Sequence, residues 1–227
     1  MSLMPYCIRC GIKLPEDKEA RFCPNCGAPL LRTQEYIGVK QETARSLSVP
    51  SQRSRLPLVL AILFLCILAT SAGALSKVDG PKAQIIVEDF KEMEKAIQTV
   101  GIQLIFGNNM MYCLIMFIPF VGPISGFYVL YSTGKMLAAM GYVLGINPIL
   151  LFLNLLFYPH AWLEYISYSL AISEGVWLSF HLLKHRSRGL KTEIINATRY
   201  IALCAILLLA GALIEMALIN YSLFNPP

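Results

Sequence analysis

The stretch LVLAILFLCILATSAGALS, residues 58 to 76, carries no charged side chain over its 19 positions. A helix rises about 1.5 Å per residue, so one of this length can cross the roughly 30 Å hydrocarbon core of a bilayer. We therefore predict that Leu58 to Ser76 forms a transmembrane helix and that the lipid bilayer surrounds it.

Composition supports a membrane protein. Of the 227 residues, 56% are hydrophobic and only 15% are charged, whereas soluble domains are about half apolar and about a quarter charged. Nine of the 19 Lys and Arg residues lie within residues 1–55. A positive-inside topology explains the net charge of +5 more simply than nucleic-acid binding does. The first residues, MSLMPYCIRCG, lack the apolar core of a secretory signal peptide, so we expect the N-terminus to be retained.

Four further apolar runs follow the first. Each is long enough to cross the bilayer, and they lie at about Ile102 to Phe120, Gly122 to Gly145, Ala161 to Leu183 and Arg199 to Leu223. A shorter run, Pro148 to Tyr158, is predicted to be a half-helix, re-entrant or interfacial, that ends at Pro159. The predicted fold class is an all-α polytopic membrane bundle with about five transmembrane helices.

Between the first two spans the chain is amphipathic. Residues 77 to 100, KVDGPKAQIIVEDFKEMEKAIQTV, repeat apolar positions near helical spacing and place charged residues elsewhere. This pattern predicts an amphipathic helix from about residue 82 to 99. We expect this helix to lie on the bilayer surface or to pack on the bundle, and the alternative is an elbow helix that docks a partner.

Lys and Arg residues in short segments predict the orientation. Residues 184 to 199, KHRSRGLKTEIINATR, contain five Lys or Arg residues and one acid, and the N-terminal region contains nine Lys or Arg residues. Both regions are expected in the cytoplasm, and four crossings between them satisfy this. We therefore expect an integral protein of the cell membrane with its N-terminus cytoplasmic and its C-terminus outside.

The most specific motif is a set of four cysteines spaced C-x2-C-x12-C-x2-C, namely Cys7, Cys10, Cys23 and Cys26. Four thiolates complete a tetrahedral Zn²⁺ shell, and Gly11 and Gly27 permit the tight turns between ligands. Two disulfides are the alternative, and a reducing cytoplasm disfavours them. Because cysteine fills every position, no coordination site is open for catalysis. We predict one structural Zn²⁺ as the cofactor of this module.

The motifs divide the chain into three domains. Residues 1–30 form the zinc ribbon, residues 31–56 form a polar linker without helical or strand periodicity, and residues 57–227 form the transmembrane domain. Basic residues near the ribbon are balanced by acidic ones, so a protein partner is expected there and a nucleic acid is not.

Six polar residues fall in the outer half of the predicted spans, although they come from four different spans: Asn108, Asn109, Lys135, His160, Glu164 and Glu215. A charge near the bilayer centre costs about 2.5 to 3.5 kcal/mol, so such side chains face the bundle, a partner charge or a water-filled cavity. One interpretation is a polar pocket or ion path, with Lys135 paired to Glu164 or Glu215. The other is an internal salt bridge with hydrogen bonds that fix the bundle, with Lys135 snorkelling outward. His160 and Glu164 could supply two metal ligands, but no third is evident.

Small residues recur along the third span at intervals of four, in the pairs Gly122 and Gly126, Gly134 and Ala138, and Gly141 and Gly145. Small faces let helices approach closely in lipid. This span is therefore expected to be central to the bundle or to a homo-oligomer.

The order of these motifs resembles the stage II sporulation protein M family of integral membrane proteins. The resemblance lies in the pair Asn108–Asn109, the glycine-rich middle span and the segment PHAWLE, residues 159–164, and it covers about residues 55–220. A zinc ribbon on such a core resembles an archaeal version. Two positions depart from the family pattern, with Ala161 where a glycine follows the histidine and Thr133 where an asparagine precedes Gly134. The resemblance implies the fold and the membrane location, and engulfment in sporulation is not carried over.

Three classes of function are compatible with these features. The expected one is a non-enzymatic membrane scaffold whose cytosolic ribbon recruits a protein partner. The alternative is a permease-like or transporter-associated subunit that uses the outer-leaflet polar cluster. A membrane enzyme such as a protease could offer only His160 and Glu164, and no nucleophile with a base, P-loop or HExxH motif occurs. An open polar pocket and a broken helix before Pro159 would favour the permease, and a fully paired cluster would favour the scaffold.

Overall fold

A computed structural model describes residues 6–7, 9–13, 22–28, 55–185 and 190–224 of the chain. The chain divides into two compact units, Met1–Gln52 and Arg53–Pro227. The predicted linker lies outside the described residues except for Arg55 and Leu56.

The described part of the first unit consists of two similar turns. An antiparallel β-bridge joins Tyr6 and Lys13. The backbone N–H of Gly11 donates to the carbonyl of Cys7 at 2.8 Å, and the N–H of Gly27 donates to the carbonyl of Cys23 at 2.9 Å. Both glycines have positive φ angles, +70° and +66°, a conformation that glycine adopts without steric cost. Each CxxCG segment therefore folds back on itself and turns its two cysteines the same way.

The second unit is helical throughout its described residues. Its seven helices are α1 (Leu56–Ala74), α2 (Gly80–Val100), α3 (Ile102–Met116), α4 (Val121–Leu144), α5 (Pro148–Leu155), α6 (Pro159–His185) and α7 (Leu190–Phe224). The predicted amphipathic helix is α2, and the predicted half-helix is α5.

Proline and glycine set several of the boundaries. Pro119 lacks the N–H that would continue a helix, so α3 ends at Met116 rather than at the expected Phe120, and Phe120 has a positive φ of 65°. Helix α4 ends at Leu144 and is capped by Gly145, whose N–H donates to the carbonyl of Gly141. Asn147 then caps α5, because its side-chain oxygen accepts the N–H of Ile149 at 2.9 Å.

Helix α4 lies at the centre of the bundle and packs against α1, α2, α3, α5 and α6. It crosses α1 backbone to backbone, because a Cβ atom on Gly134 would lie 1.9 Å from the carbonyl oxygen of Thr70, and one on Gly73 would lie 2.1 Å from that of Tyr131. Helix α2 packs on α4 through Ala83, so the amphipathic helix covers the bundle. Of the predicted small residues, Gly134 is thus used for a contact within one chain.

Length and hydropathy identify two or three membrane spans among the described residues. Leu56–Ala74 and Glu193–Tyr221 are each long and apolar enough to cross a bilayer. Pro148–Leu155 and Pro159–Leu183 form a pair bent by 85°, which adds a third if it is one broken span. Helix α3 is apolar but has only 15 residues, and glycines and polar residues interrupt α4. The membrane-type bundle is confirmed, whereas five crossings are not.

Candidate functional site

The four predicted metal ligands come together in the first unit. The Sγ atoms of Cys7, Cys10, Cys23 and Cys26 all lie within 4.8 Å of one another. The Sγ atoms of Cys7 and Cys26 are 3.7 Å apart, and those of Cys10 and Cys23 are 3.6 Å apart. Thiolates bound to zinc at the corners of a tetrahedron lie about 3.8 Å apart, whereas disulfide sulfurs lie about 2.05 Å apart. The cluster fits a tetrahedral metal site and does not fit two disulfides.

Backbone N–H groups favour the metal-binding form of Cys7 and Cys10. The N–H of Arg9 donates to Sγ of Cys7 at 3.4 Å and lowers the pKa of that thiol. The N–H of Ile12 lowers the pKa of Cys10 to about 6. The thiolate is the form that binds metal, so the turns favour metal binding at two of the four ligands.

The surface of this unit carries apolar side chains. Tyr6 is 56% exposed, Phe22 is 62% exposed and Ile12 is 41% exposed. Arg9 and Lys13 are also exposed. Exposed aromatic groups among polar neighbours are typical of protein-binding surfaces.

A cavity of about 530 Å³ lies in the second unit among helices α2 to α7. Most of its wall is apolar, and its polar lining consists of Asn108, Asn109, Tyr112, Thr133, Asn154, Tyr158, His160, Glu164, Tyr165, Tyr168 and Glu215. Five of the six residues of the predicted polar cluster line it, the exception being Lys135. The structure therefore brings together side chains from α3, α6 and α7 that are far apart in the sequence.

The acidic groups of this cavity are sparsely paired. Nδ2 of Asn109 donates to Oε1 of Glu164 at 2.7 Å. In the part of the chain that the structure describes, Glu215 makes no hydrogen bond or ion pair, and Nδ1 of His160 is buried without a hydrogen-bond partner. The cluster is therefore not a closed network of ion pairs.

Lys135 does not join this group, and the predicted ion pair with Glu164 or Glu215 is wrong. Across residues 55–185 and 190–224, no ion pair of Lys135 occurs. The α4 residues that line the cavity include Thr133 and Leu137. Lys135 follows Thr133 by two positions, which places it about 200° away around the helix axis. Its backbone nitrogen lies on the face of α4 that meets Gly73 of α1.

The break before α6 forms one side of the cavity. Helices α5 and α6 meet at 85°, and Nε1 of Trp162 donates to the carbonyl of Leu156 at 2.8 Å across the corner. The rings of Tyr158 and His160 lie 5.6 Å apart. Together with Glu215, these two residues also line a second cavity of about 380 Å³. Tyr158, His160 and Glu215 therefore stand between the two cavities.

A second polar group, which the sequence interpretation missed, lies near the start of α1. Arg55 donates one hydrogen bond to Glu174 of α6 and another to Glu193 of α7. The Arg55 side chain is 6% exposed and each carboxylate is 3% exposed. The guanidinium carbon lies 5.1 Å from the ring centroid of Trp177, and Nε2 of His181 lies 3.7 Å from Oε1 of Glu193. We call these five residues the inner clamp, because they tie α1 to α6 and α7.

The sequence contained a partial signal for the inner clamp. Glu174 lies within the fourth predicted span, Glu193 is the one acid of the basic segment 184–199, and Arg55 lies in the predicted linker. Glu174, Trp177 and His181 recur at i, i+3 and i+7, which marks one polar face of a helix. A polar face within a membrane span predicts a buried partner of opposite charge. Arg55, a basic residue beside the first span, is one of the few candidates for that partner.

Two family models match this chain. The one described as Stage II sporulation protein M matches residues 57–218, and the one described as zinc-ribbon domain matches residues 6–30. No curated protein matches the chain, and no solved structure matches it. The first match contains α2 to α6, the cavity and Glu215 in α7, and the second contains all four clustered cysteines.

Proposed function

We propose that this chain, which belongs to the stage II sporulation protein M family, is a membrane protein that binds a polar solute between its helices, as a permease or a transporter-associated subunit does. The observation that carries the proposal is the cavity of about 530 Å³, which is lined by polar side chains of five helices, α3 to α7. Ligand pockets have volumes of about 300 to 1,000 Å³ and combine an apolar wall with a few polar groups.

The state of the polar groups supports binding over a purely structural role. Polar residues inside a membrane are tolerated where they pair with one another or line a cavity. Here Glu164 has one amide partner, and Glu215 has none among the described residues. The 85° break before α6 adds a second feature, because discontinuous helices form the solute sites of many secondary transporters.

The proposal includes a topology with five crossings, a cytoplasmic N-terminus and an outside C-terminus. The basic residues of the N-terminal region and of segment 184–199 support this orientation. Reporter fusions at Gln103 and Pro227 should read outside, and a fusion at Gly189 should read cytoplasmic. A cytoplasmic C-terminus would require an even number of crossings and would overturn the assignment of the cavity to the outer half.

Filling the cavity tests solute binding directly. The purified full chain in lipid nanodiscs should be stabilised against heat by at least one member of a set of cationic, neutral and anionic metabolites. Thr133→Trp places a large ring in the cavity and should abolish that stabilisation. Ile124→Trp is the matched control, because Ile124 is 74% exposed on the same helix and lies outside the cavity lining. Stabilisation that survives Thr133→Trp, or stabilisation by no compound at all, would refute the proposal.

A second candidate function is a non-enzymatic scaffold whose ribbon recruits a cytosolic protein. The exposed side chains of Tyr6, Ile12 and Phe22 favour it, because a metal-closed module of this size otherwise has little reason to expose them. We propose that the ribbon holds one Zn²⁺, which its four thiols would bind as a structural ion. A homo-oligomer would have to use surfaces other than Gly73 and Gly134, which already face each other.

A capture experiment separates the two candidates. The full chain should capture its partner, and Phe22→Ser should lose the partner while retaining the metal. Lys13→Ser is the matched control, since it changes an exposed polar residue of the same module. Capture that is unchanged by Phe22→Ser would remove the ribbon surface from the proposal and would leave solute binding unaffected.

A further inference from the structure

Resting on the proposed function, we propose that the solute held in the α2–α7 cavity is a small organic ammonium ion. The proposal names the chemical class of the ligand. It stands on the charges, the apolar wall and the aromatic groups of the cavity.

The charges of the lining favour a cation. Its acidic side chains are Glu164 and Glu215, and its lining contains no lysine and no arginine. An unpaired carboxylate in an apolar environment is costly, and a cation placed beside it removes that cost. An anionic solute would face two carboxylates with no basic side chain except His160. The cavity therefore selects against anions.

The ligand geometry argues against a bare metal ion. Calcium takes six to eight oxygen ligands at about 2.3 to 2.6 Å. Across the described residues, the only group of three or more His, Cys, Asp or Glu side chains close enough to share a metal is the cysteine cluster. Leucine, isoleucine, methionine and valine supply 11 of the 24 residues that line the cavity. Such a wall leaves a metal ion dehydrated and is suited to the carbon groups of an organic ion.

The aromatic side chains supply the remaining recognition. Tyr112, Tyr158, Tyr165 and Tyr168 all line the cavity, and Tyr165 and Tyr168 are 4% and 5% exposed. The faces of aromatic rings attract ammonium groups, and desolvation strengthens this attraction. Tyr165 follows Glu164 directly, and Tyr168 lies one helical turn after it on α6. The ammonium group is therefore expected near Glu164, with its carbon substituents toward Met93 and Ile97 of α2.

Two probes of nearly the same shape isolate the charge. Choline and 3,3-dimethyl-1-butanol differ chiefly in the replacement of the quaternary nitrogen by carbon. The full chain in nanodiscs should bind choline, tetraethylammonium or n-butylammonium saturably, with a Kd at least tenfold lower than for the neutral alcohol or for 3,3-dimethylbutanoate. Potassium and calcium at the same concentrations should not compete.

Variants locate the site. Glu164→Gln and Glu215→Gln should each weaken binding of the ammonium probe at least tenfold. Glu92→Gln, which neutralises an exposed carboxylate on α2, should leave it unchanged. If one cavity variant fails to fold, the other still tests the proposal. Thr133→Trp should abolish binding of every probe.

The outcomes separate this inference from the proposed function. Binding of the neutral or the anionic probe in preference to all three ammonium ions, with loss in Thr133→Trp, would overturn the ammonium inference and keep solute binding. Ammonium binding that is unchanged in both Glu164→Gln and Glu215→Gln would also overturn it. Binding of none of these probes would also overturn the ammonium inference, and the metabolite set described above would still test solute binding.

Discussion

The inner clamp provides a sharp test of the structure, because a single buried guanidinium donates hydrogen bonds to two buried carboxylates. Arg55→Met removes the donor of the hydrogen bonds to Glu174 and Glu193 and keeps most of the apolar volume. Removing one partner of a buried ion pair costs about 3 to 5 kcal/mol, since the other charge is left unpaired. Loss of the cation–π contact with Trp177 adds about 0.5 to 2 kcal/mol. We expect Arg55→Met to lower the free energy of unfolding by about 4 kcal/mol.

The measurement is equilibrium unfolding of residues 1–227 in mixed micelles, with the fraction folded followed against denaturing detergent. Lys82→Met is the matched control, because Lys82 pairs with Asp79 at 3.4 Å while its side chain is 71% exposed. Exposed ion pairs contribute about 0 to 1 kcal/mol, so this control should remain near the wild-type free energy.

Neutralising the stranded acids should rescue the variant. Arg55→Met combined with Glu174→Gln and Glu193→Gln no longer buries an unpaired charge, so it should recover at least about 2 kcal/mol relative to Arg55→Met alone. If the effects of the three substitutions on the free energy of unfolding simply added, the triple variant would show no such recovery. An Arg55→Met protein within about 1 kcal/mol of wild type would mean that Arg55 is not buried between these carboxylates.

Three further outcomes follow from individual contacts. Gly134→Val should prevent the bundle from assembling, as judged by size-exclusion chromatography, because its Cβ would lie 1.9 Å from the Thr70 carbonyl oxygen. The control Gly107→Ala has open space around its Cβ and should behave as wild type. Asn109→Ala and Glu164→Ala should couple in a double-mutant cycle by about 0.5 to 3 kcal/mol, while Lys135→Met and Glu164→Ala should add without coupling. The purified chain should contain one Zn²⁺, and Cys10→Ser should lose it. Acidification should also release the metal, because protons compete with it for the thiolates, and the lowered pKa of Cys10 shifts this release to lower pH.

The metal site was predictable because its geometry is local. Cys7 and Cys10 belong to one turn, and Cys23 and Cys26 belong to another, so the spacing of each pair already defines the conformation. The family was also predictable, since the asparagine pair, the glycine-rich span and PHAWLE occur in a fixed order, and the family model matches residues 57–218.

The position of the polar residues along each helix was predictable from the sequence, whereas the direction of each side chain around the helix axis was not. Counting residues along each span placed Lys135 and Glu164 in the same half of the predicted spans, but the direction of the Lys135 side chain depends on which face of α4 meets the cavity. The contact of Gly134 with Thr70 sets that face, and this contact depends on how α1 packs. Hydropathy could not predict which face of α4 meets the cavity, because both faces contain apolar residues. Thr133, which departs from the family pattern, occupies the cavity side.

Glutamates in the two halves of the bundle differ in how their charge is compensated, and this difference separates structure from function. Glu174 and Glu193 share a buried arginine that packs on Trp177, which is what a structural clamp requires. Glu164 and Glu215 share a cavity that contains no lysine or arginine, and a single amide is their hydrogen-bond donor among the described residues. A chain that needed only to fix its helices would gain by placing an arginine there as well, or by using apolar residues. Glu164 and Glu215 line their cavity together with four tyrosines, and the choline experiment tests the proposal that a ligand supplies the positive charge that this cavity lacks.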